Sequence, residues 1–130
     1  MKIGTLLTVN GIIATAFGIA FFAAPGQTLA PYGVEMAGPG LLVARLFGGT
    51  LIGYGLITWR FRNTTDAVVL RSLAIALAVP NVLGTIVSAY GALSGQVNAL
   101  GWSTVAIYGF FTAGYAWFAT RGPAPATAGA

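Results

Sequence analysis

Residues 3–24 read IGTLLTVNGIIATAFGIAFFAA, with no charged side chain among them. A helix rises about 1.5 Å per residue, so roughly 20 apolar residues cross the hydrocarbon layer of a bilayer. The stretch also lacks the alternation of polar and apolar residues that is typical of membrane β-strands. It therefore predicts a transmembrane helix. Lys2 and the small residues near its end also resemble a cleaved signal peptide, but the length of the apolar stretch favours a retained helix.

Three further segments of the same kind follow the first. They lie at about residues 40–59, 67–93 and 99–120. The first connection is rich in Gly and Pro, residues 60–66 form the second and residues 94–98 form the third. We therefore expect one all-α domain over residues 1–121, an integral membrane four-helix bundle. The tail at residues 122–130 offers no core-forming side chain, which predicts disorder.

The composition of the whole chain is typical of a membrane protein. Of 130 residues, 57% are hydrophobic and 6% are charged, whereas soluble domains carry about 25% charged residues. The chain has no Cys and no His, which removes the usual ligands of zinc, haem and iron–sulfur groups. We accordingly predict no metal site, no catalytic residue and no cofactor. The chain is more typical of a non-catalytic component than of an enzyme.

The basic residues predict how the chain is oriented in the membrane. Lys2 precedes the first segment, Arg60, Arg62 and Arg71 flank the second connection, and Arg121 follows the fourth segment. The first and third connections contain no Lys or Arg. Because cytoplasmic connections are enriched in these residues, we expect both termini in the cytoplasm. The basic residues fit contacts to anionic lipid headgroups, and no nucleic-acid partner is expected.

Regularly spaced glycines predict close packing between the helices. Gly4, Gly11 and Gly18 recur every seven residues, and Gly48 and Gly55 share that spacing in the second segment. Lipid tails supply no hydrophobic drive for helix pairing, so small residues that admit a neighbouring backbone become important. Two interpretations stay open. The chain is either a monomeric bundle or a homo-oligomer that pairs through the Gly-xxx-Gly face of Gly49 and Gly53. The predicted packing residues are Gly11, Gly18, Gly48, Gly49, Gly53, Gly55 and Gly84.

Arg45 is the charge that lies deepest inside a predicted span. A cation at that depth is unfavourable unless it reaches the headgroups or finds a partner. Two hypotheses follow. Arg45 either extends to the outer surface, near Glu35, or faces the interior and binds an anionic or carbonyl-bearing group.

Polar side chains inside the other spans mark a candidate ligand site. Pro80 interrupts backbone hydrogen bonding in the third segment and is expected to kink it. Its neighbour Asn81, like Asn10 in the first segment, is either a clasp between helices or part of a cavity lining, with Ser88 as a further lining residue. The candidate ligand-binding residues are Arg45, Asn10, Asn81, Thr50, Tyr54, Thr85 and Tyr108.

Several of these features together resemble a known family. Residues 45–55 read RLFGGTLIGYG, an Asn-Gly pair lies early in the first segment, and the first connection contains Pro. With four spans, this pattern resembles the small four-helix DoxX-like membrane proteins of bacteria, and within them families of unknown function. The resemblance covers nearly the whole chain. Some DoxX relatives are linked to quinone-coupled sulfur oxidation or to redox-stress partners, but a chain without Cys departs from thiol chemistry. The residues that match the family pattern are Arg45, Gly48, Gly49 and Gly55.

These observations lead to three functional hypotheses. The first is a small polytopic membrane protein that acts as a non-catalytic accessory component or binds a lipid or a quinone. The alternative is a small homo-oligomeric transporter or channel for an anionic or small polar solute, attracted by Arg45. The third is a subunit of a redox enzyme whose cofactor lies in a partner. The expected partners are membrane lipids, together with a quinone, another membrane protein or a second copy of the chain.

Overall fold

The computed structural model describes residues 1–121, which form five α-helices and one 3₁₀ turn. These are α1 (Ile3–Ala23), α2 (Pro25–Leu29), the 3₁₀ turn (Ala30–Tyr32), α3 (Pro39–Phe61), α4 (Ala67–Leu93) and α5 (Gly101–Arg121). The four long helices differ from the predicted segments by at most two residues at either end. The predicted disorder of residues 122–130 concerns a part of the chain outside the described residues.

The predicted membrane class is confirmed for three of the long helices. Helices α1, α3 and α4 are long and apolar enough to cross a membrane. Helix α5 has 21 residues but is not one of the three, because hydroxyl-bearing and small side chains replace aliphatic ones along it. Over the described residues the protein is therefore all-α, with three candidate spans and a fourth long helix.

Proline begins two of the helices, and an aspartate side chain caps a third. Pro25 and Pro39 occupy the first turns of α2 and α3, where a missing N–H costs nothing. Asp66 caps α4, because its Oδ1 accepts the N–H groups of Val68 at 2.9 Å and Val69 at 3.0 Å. The first connection, predicted as a loop, contains α2 and the 3₁₀ turn.

Helices α1 and α3 run antiparallel and pack through glycine. A Cβ added to Gly18 would lie 2.9 Å from the carbonyl oxygen of Gly48, and one added to Gly48 would lie 2.7 Å from that of Gly18. Gly11 and Gly55 face each other in the same way, at 3.2 Å and 3.0 Å. The backbones are thus in direct contact, which only glycine permits at this separation.

Helices α4 and α5 form the second closely packed pair. We call the end that carries Lys2, Arg62 and Arg121 the charged end, and the end at residues 24–38 and 94–100 the loop end. Near the charged end, side chains of α1, α4 and α5 close into an apolar core. Its buried members are Ile3, Leu6, Leu7, Leu70, Ala74, Leu77, Phe111 and Tyr115. Toward the loop end the two helix pairs separate.

Candidate ligand-binding cavity

A cavity of about 770 Å³ occupies the space between the two helix pairs, from mid-depth to the loop end. Its walls come from all four long helices and are predominantly apolar. Phe17, Phe21, Phe47 and Phe111 contribute the largest aromatic surfaces. No charged side chain is among its lining residues, all of which fall within residues 1–121. The cavity therefore suits a neutral, largely apolar occupant.

The floor of the cavity is a polar cluster centred on Tyr54. The Tyr54 hydroxyl accepts a hydrogen bond from Asn81 Nδ2 at 2.8 Å and another from Asn10 Nδ2 at 3.2 Å. Asn81 Nδ2 also donates to the carbonyl of Leu77 at 2.7 Å. Asn10 and Asn81 are 2% and 4% exposed, so hydrogen bonding offsets the cost of burying them. The cluster joins α1, α3 and α4 at one point.

One polar atom beside this cluster has no partner within the described residues. The hydroxyl of Tyr115, on α5, is buried and makes no hydrogen bond there. It lies next to Asn10 and Tyr54, on the side of the apolar core. A buried hydroxyl without a partner is unfavourable by about 1–3 kcal/mol. The Tyr115 hydroxyl therefore keeps hydrogen-bonding capacity beside the floor, although Tyr115 itself does not line the cavity.

The wall between α3 and α4 is open toward the surroundings. The backbones of these helices barely approach each other, in contrast to the two tight pairs. Pro80, Leu83 and Val87 lie one turn or two apart on α4, line the cavity and are exposed. On α3, Phe47 and Thr50 also line the cavity and are exposed. If these helices cross a membrane, this gap faces the lipid chains and connects them with the polar floor.

The loop end of the cavity is tied together by Asn98. Its Nδ2 donates to the carbonyl of Pro31 at 2.8 Å, and its backbone N–H donates to the carbonyl of Tyr32 at 2.9 Å. Its Oδ1 accepts the N–H of Leu100 at 3.0 Å. Gly33, which follows the 3₁₀ turn with a φ of 74°, lets the chain pass close to Asn98. The connection before α3 is thus held against the connection before α5.

Arg45 lies apart from the cavity. Its Nη1 donates to the carbonyl of Phe22 at 2.6 Å and to that of Ala23 at 3.4 Å, at the end of α1. The carbonyls at a helix end lack partners within the helix and carry partial negative charge, so a cation there is favourable. The side chain is exposed and does not line the cavity. Its place in the structure is that of a cap on α1.

The structure brings most of the other candidate ligand residues to one cavity. Asn10, Thr50, Tyr54, Asn81 and Tyr108 all line it. Thr85 does not; its hydroxyl lies 3.1 Å from that of Thr112 on α5 and also bonds to the carbonyl of Asn81 at 2.8 Å. Ser88 lines the cavity closer to the loop end.

The predicted packing glycines divide into two groups. Gly11, Gly18, Gly48 and Gly55 form the contact between α1 and α3, and Gly84 lies directly against the ring of Tyr108. Gly49 and Gly53 are exposed on α3. A Cβ on Gly49 would touch only Phe22, at 3.9 Å, and one on Gly53 would meet nothing within 4 Å. The face formed by Gly49 and Gly53 therefore has no close packing partner among residues 1–121.

Sequence reasoning missed several residues in and around the cavity. Tyr115 carries the unpartnered hydroxyl, Asn98 holds the loop end, and the phenylalanine side chains supply the walls. An Asn at the start of a span, just after a turn, is a recognisable capping signal, but its bond to Pro31 has no local signature. No protein family, curated protein or solved structure matches the chain.

Proposed function

We propose that the chain is a bacterial inner-membrane protein whose cavity binds a neutral lipophilic molecule with a carbonyl or hydroxyl head, of the quinone or lipid class. The four long helices would then form a four-span bundle with both termini in the cytoplasm. The observation that carries the proposal is the uncharged cavity of about 770 Å³ with its polar floor of Asn10, Tyr54 and Asn81.

The size and chemistry of the cavity support this class of ligand. Small-molecule sites are clefts of about 300–1,000 Å³ with apolar walls and a few polar groups that fix orientation. Here the amide of Asn10 keeps a second N–H beyond its bond to Tyr54, and the Tyr54 hydroxyl keeps its own proton. A ligand carbonyl at the floor would accept from these donors, while its apolar part contacts the phenylalanine walls.

The gap between α3 and α4 supports uptake from the bilayer. A molecule dissolved among lipid chains would pass between Leu83 and Thr50 without crossing the loop end that Asn98 holds. A water-soluble anion would find no cation in the cavity lining, since Arg45 caps α1 instead. The geometry therefore favours a lipophilic ligand over the solute of a transporter or channel.

The role that fits such a site is non-catalytic. Its polar groups are amides and hydroxyls, which position a ligand by hydrogen bonding. We propose that the protein holds its ligand for, or delivers it to, a partner in the same membrane. Membership of the DoxX-like group, proposed from residues 45–55, is consistent with a ligand of the quinone class.

The test is binding of decylubiquinone, a soluble quinone probe, to the purified protein in mild detergent. Thr104→Phe places a ring in the cavity from α5, where Thr104 is a half-buried lining residue. Thr120→Phe is the matched control, since Thr120 is exposed on the same helix and does not line the cavity. Circular dichroism and gel filtration establish that both variants fold.

We expect saturable binding by the unmodified protein and by Thr120→Phe, and a loss of at least about tenfold in Thr104→Phe, since a ring replaces ligand volume. Equal binding by the two variants would place the quinone outside the cavity. Absence of saturable binding by the unmodified protein, with neither a quinone nor a lipid retained in native mass spectra, would overturn the proposed function.

A further inference from the structure

A second, shallow pocket of about 510 Å³, open to the surface, lies at the charged end, away from the cavity between the helix pairs. Lys2 enters it from the start of α1 and Arg62 from the end of α3. Thr5, Asn63, Thr64 and Thr65 add hydroxyl and amide groups around these two cations. None of the residues that line this pocket, all within the described part of the chain, is acidic.

The glycine contact between α1 and α3 places the two cations in one pocket. A Cβ on Gly4 would lie 2.5 Å from the carbonyl oxygen of Arg62, so the two backbones touch at this point. Lys2 and Arg62 are thus held on neighbouring chain segments although they are far apart in sequence. An anion bound between two such cations would be attracted by both.

The neighbouring acid, Asp66, bonds to the backbone of α4. Asp66 directs Oδ1 to the N–H groups of Val68 and Val69, at the start of α4. The guanidinium of Arg62 lies 3.9 Å from the centre of the Trp59 ring, and its Nη1 donates to the carbonyl of Trp59 at 2.6 Å. These contacts use Nη1 of Arg62, and the guanidinium has further N–H groups that could donate to a ligand.

The level of the pocket along the helices matches that of a headgroup layer. Trp59 is 42% exposed beneath Arg62, and Arg121 lies 4.0 Å from the ring centre of Trp117 at the end of α5. Trp side chains concentrate at the boundary between hydrocarbon and headgroups, and basic side chains there interact with anionic lipids. Two such Arg–Trp pairs mark the charged end as this boundary.

We propose that the pocket of Lys2 and Arg62 binds a phosphate group. The group is carried either by an anionic phospholipid or by free phosphate. Arginine presents several N–H donors in a plane to phosphate oxygens, lysine adds a compact positive charge, and the threonine hydroxyls donate to the remaining oxygens. This inference rests on residues that the quinone or lipid cavity does not use, so either proposal can fail alone.

The experiment uses Trp59 as a reporter in the full chain carrying Trp102→Phe and Trp117→Phe. Short-chain phosphatidylglycerol, short-chain phosphatidylcholine and inorganic phosphate are titrated separately into the detergent-solubilised protein. Native mass spectrometry of retained lipid gives a second readout, which is needed because Arg62→Gln also alters the environment of Trp59. Lys2→Gln and Arg62→Gln remove the two pocket charges. Arg60→Gln is the matched control, an exposed charge of the same end that does not line the pocket.

We expect phosphatidylglycerol to bind saturably and more tightly than the zwitterionic phosphatidylcholine. Lys2→Gln and Arg62→Gln should each weaken that binding about fivefold, which is the usual contribution of one cation near a membrane surface. Arg60→Gln should bind phosphatidylglycerol about as tightly as the unmodified protein. Binding of inorganic phosphate with the same variant dependence would support the pocket and assign it to the free ion. An equal loss in Arg60→Gln, or no loss in either pocket variant, would overturn the proposal.

Discussion

Asn81 on α4 donates a hydrogen bond to the hydroxyl of Tyr54 on α3, across 2.8 Å. The same oxygen accepts from Asn10 on α1 at 3.2 Å, so three helices meet at one phenolic group. Because the backbones of α3 and α4 barely approach each other, this hydroxyl is a main polar link between the two helix pairs. It is also the floor of the cavity.

Replacing Tyr54 with Phe should weaken that link. The substitution keeps the ring but leaves amide N–H groups of Asn10 and Asn81 unpaired, so we expect the free energy of unfolding to fall by about 1–2 kcal/mol. Reversible unfolding in mixed micelles, followed by circular dichroism, measures the change. Tyr90→Phe, at a tyrosine that is 64% exposed, is the control. Equal stability of the two variants would contradict a structural role for the Tyr54 hydroxyl.

Tyr115→Phe should behave in the opposite way. Its hydroxyl is buried without a partner among the described residues, so its removal takes away a desolvated polar group and retains the ring. We expect an unchanged or slightly higher free energy of unfolding, by up to about 1 kcal/mol. Reversible unfolding in mixed micelles, followed by circular dichroism, measures this change as well. A clear loss of stability would mean that the hydroxyl has a partner in the protein as isolated, either the neighbouring Asn10 or Tyr54 or a bound water or ligand.

Gly48→Ala and Gly53→Ala should differ in their effect on the free energy of unfolding, because Gly48 lies in a tight helix contact and Gly53 lies on an open face. A methyl on Gly48 would lie 2.5 Å from the backbone nitrogen of Phe22, so α1 and α3 must move apart at a cost of about 1–3 kcal/mol. A methyl on Gly53 meets nothing within 4 Å, and its effect should stay within about 1 kcal/mol, in the stabilising direction. If Gly53→Ala instead abolishes a dimer seen by chemical cross-linking, a second copy covers this face.

Arg45→Leu should affect the end of α1 and not the cavity. The substitution removes the hydrogen bonds to Phe22 and Ala23, which we expect to cost about 1 kcal/mol of unfolding free energy. Decylubiquinone binding should be unchanged, because Arg45 does not line the cavity. Arg45→Lys, which keeps the charge, should recover part of the stability. If Arg45→Leu loses quinone binding while its stability is unchanged, Arg45 contributes to the ligand site after all.

Asn98→Ala should loosen the loop end of the cavity. It removes the side-chain bond to Pro31 and the cap on Leu100, each of which contributes about 1 kcal/mol. Hydrogen–deuterium exchange should become faster over residues 30–34 while α1 and α3 keep their protection. Asn63→Ala, in the connection at the opposite end, is the control. Unchanged exchange over residues 30–34 would show that Asn98 does not hold the two connections together.

Much of the helical framework was predictable because its signals are local. The length of each apolar stretch fixes a helix, and the seven-residue spacing of Gly4, Gly11 and Gly18 selects one helix face. The spacing alone does not identify which face of α3 opposes it. That face consists of Gly48 and Gly55, whereas a Cβ on the adjacent Gly49 would reach only the Phe22 ring, at 3.9 Å, and one on Gly53 would meet no atom within 4 Å.

The site was less predictable because it depends on contacts between distant parts of the chain. Asn10 and Asn81 stand out as amides in apolar spans, which marked them for either a clasp or a cavity. In the structure the same side chains bond to Tyr54 and line the cavity. Asn98 and Pro31, separated by 67 residues, meet only after folding. The partner of Arg45 is a backbone carbonyl, which no side-chain pattern indicates.

The uncharged lining of the cavity has an electrical consequence. Moving an elementary charge through a membrane potential changes its energy by about 2.3 kcal/mol for every 100 mV. Since no lining residue is charged, a neutral occupant that enters between Leu83 and Thr50 carries no charge through the field and displaces none. Its occupancy would therefore stay constant while the membrane potential of the cell rises or collapses.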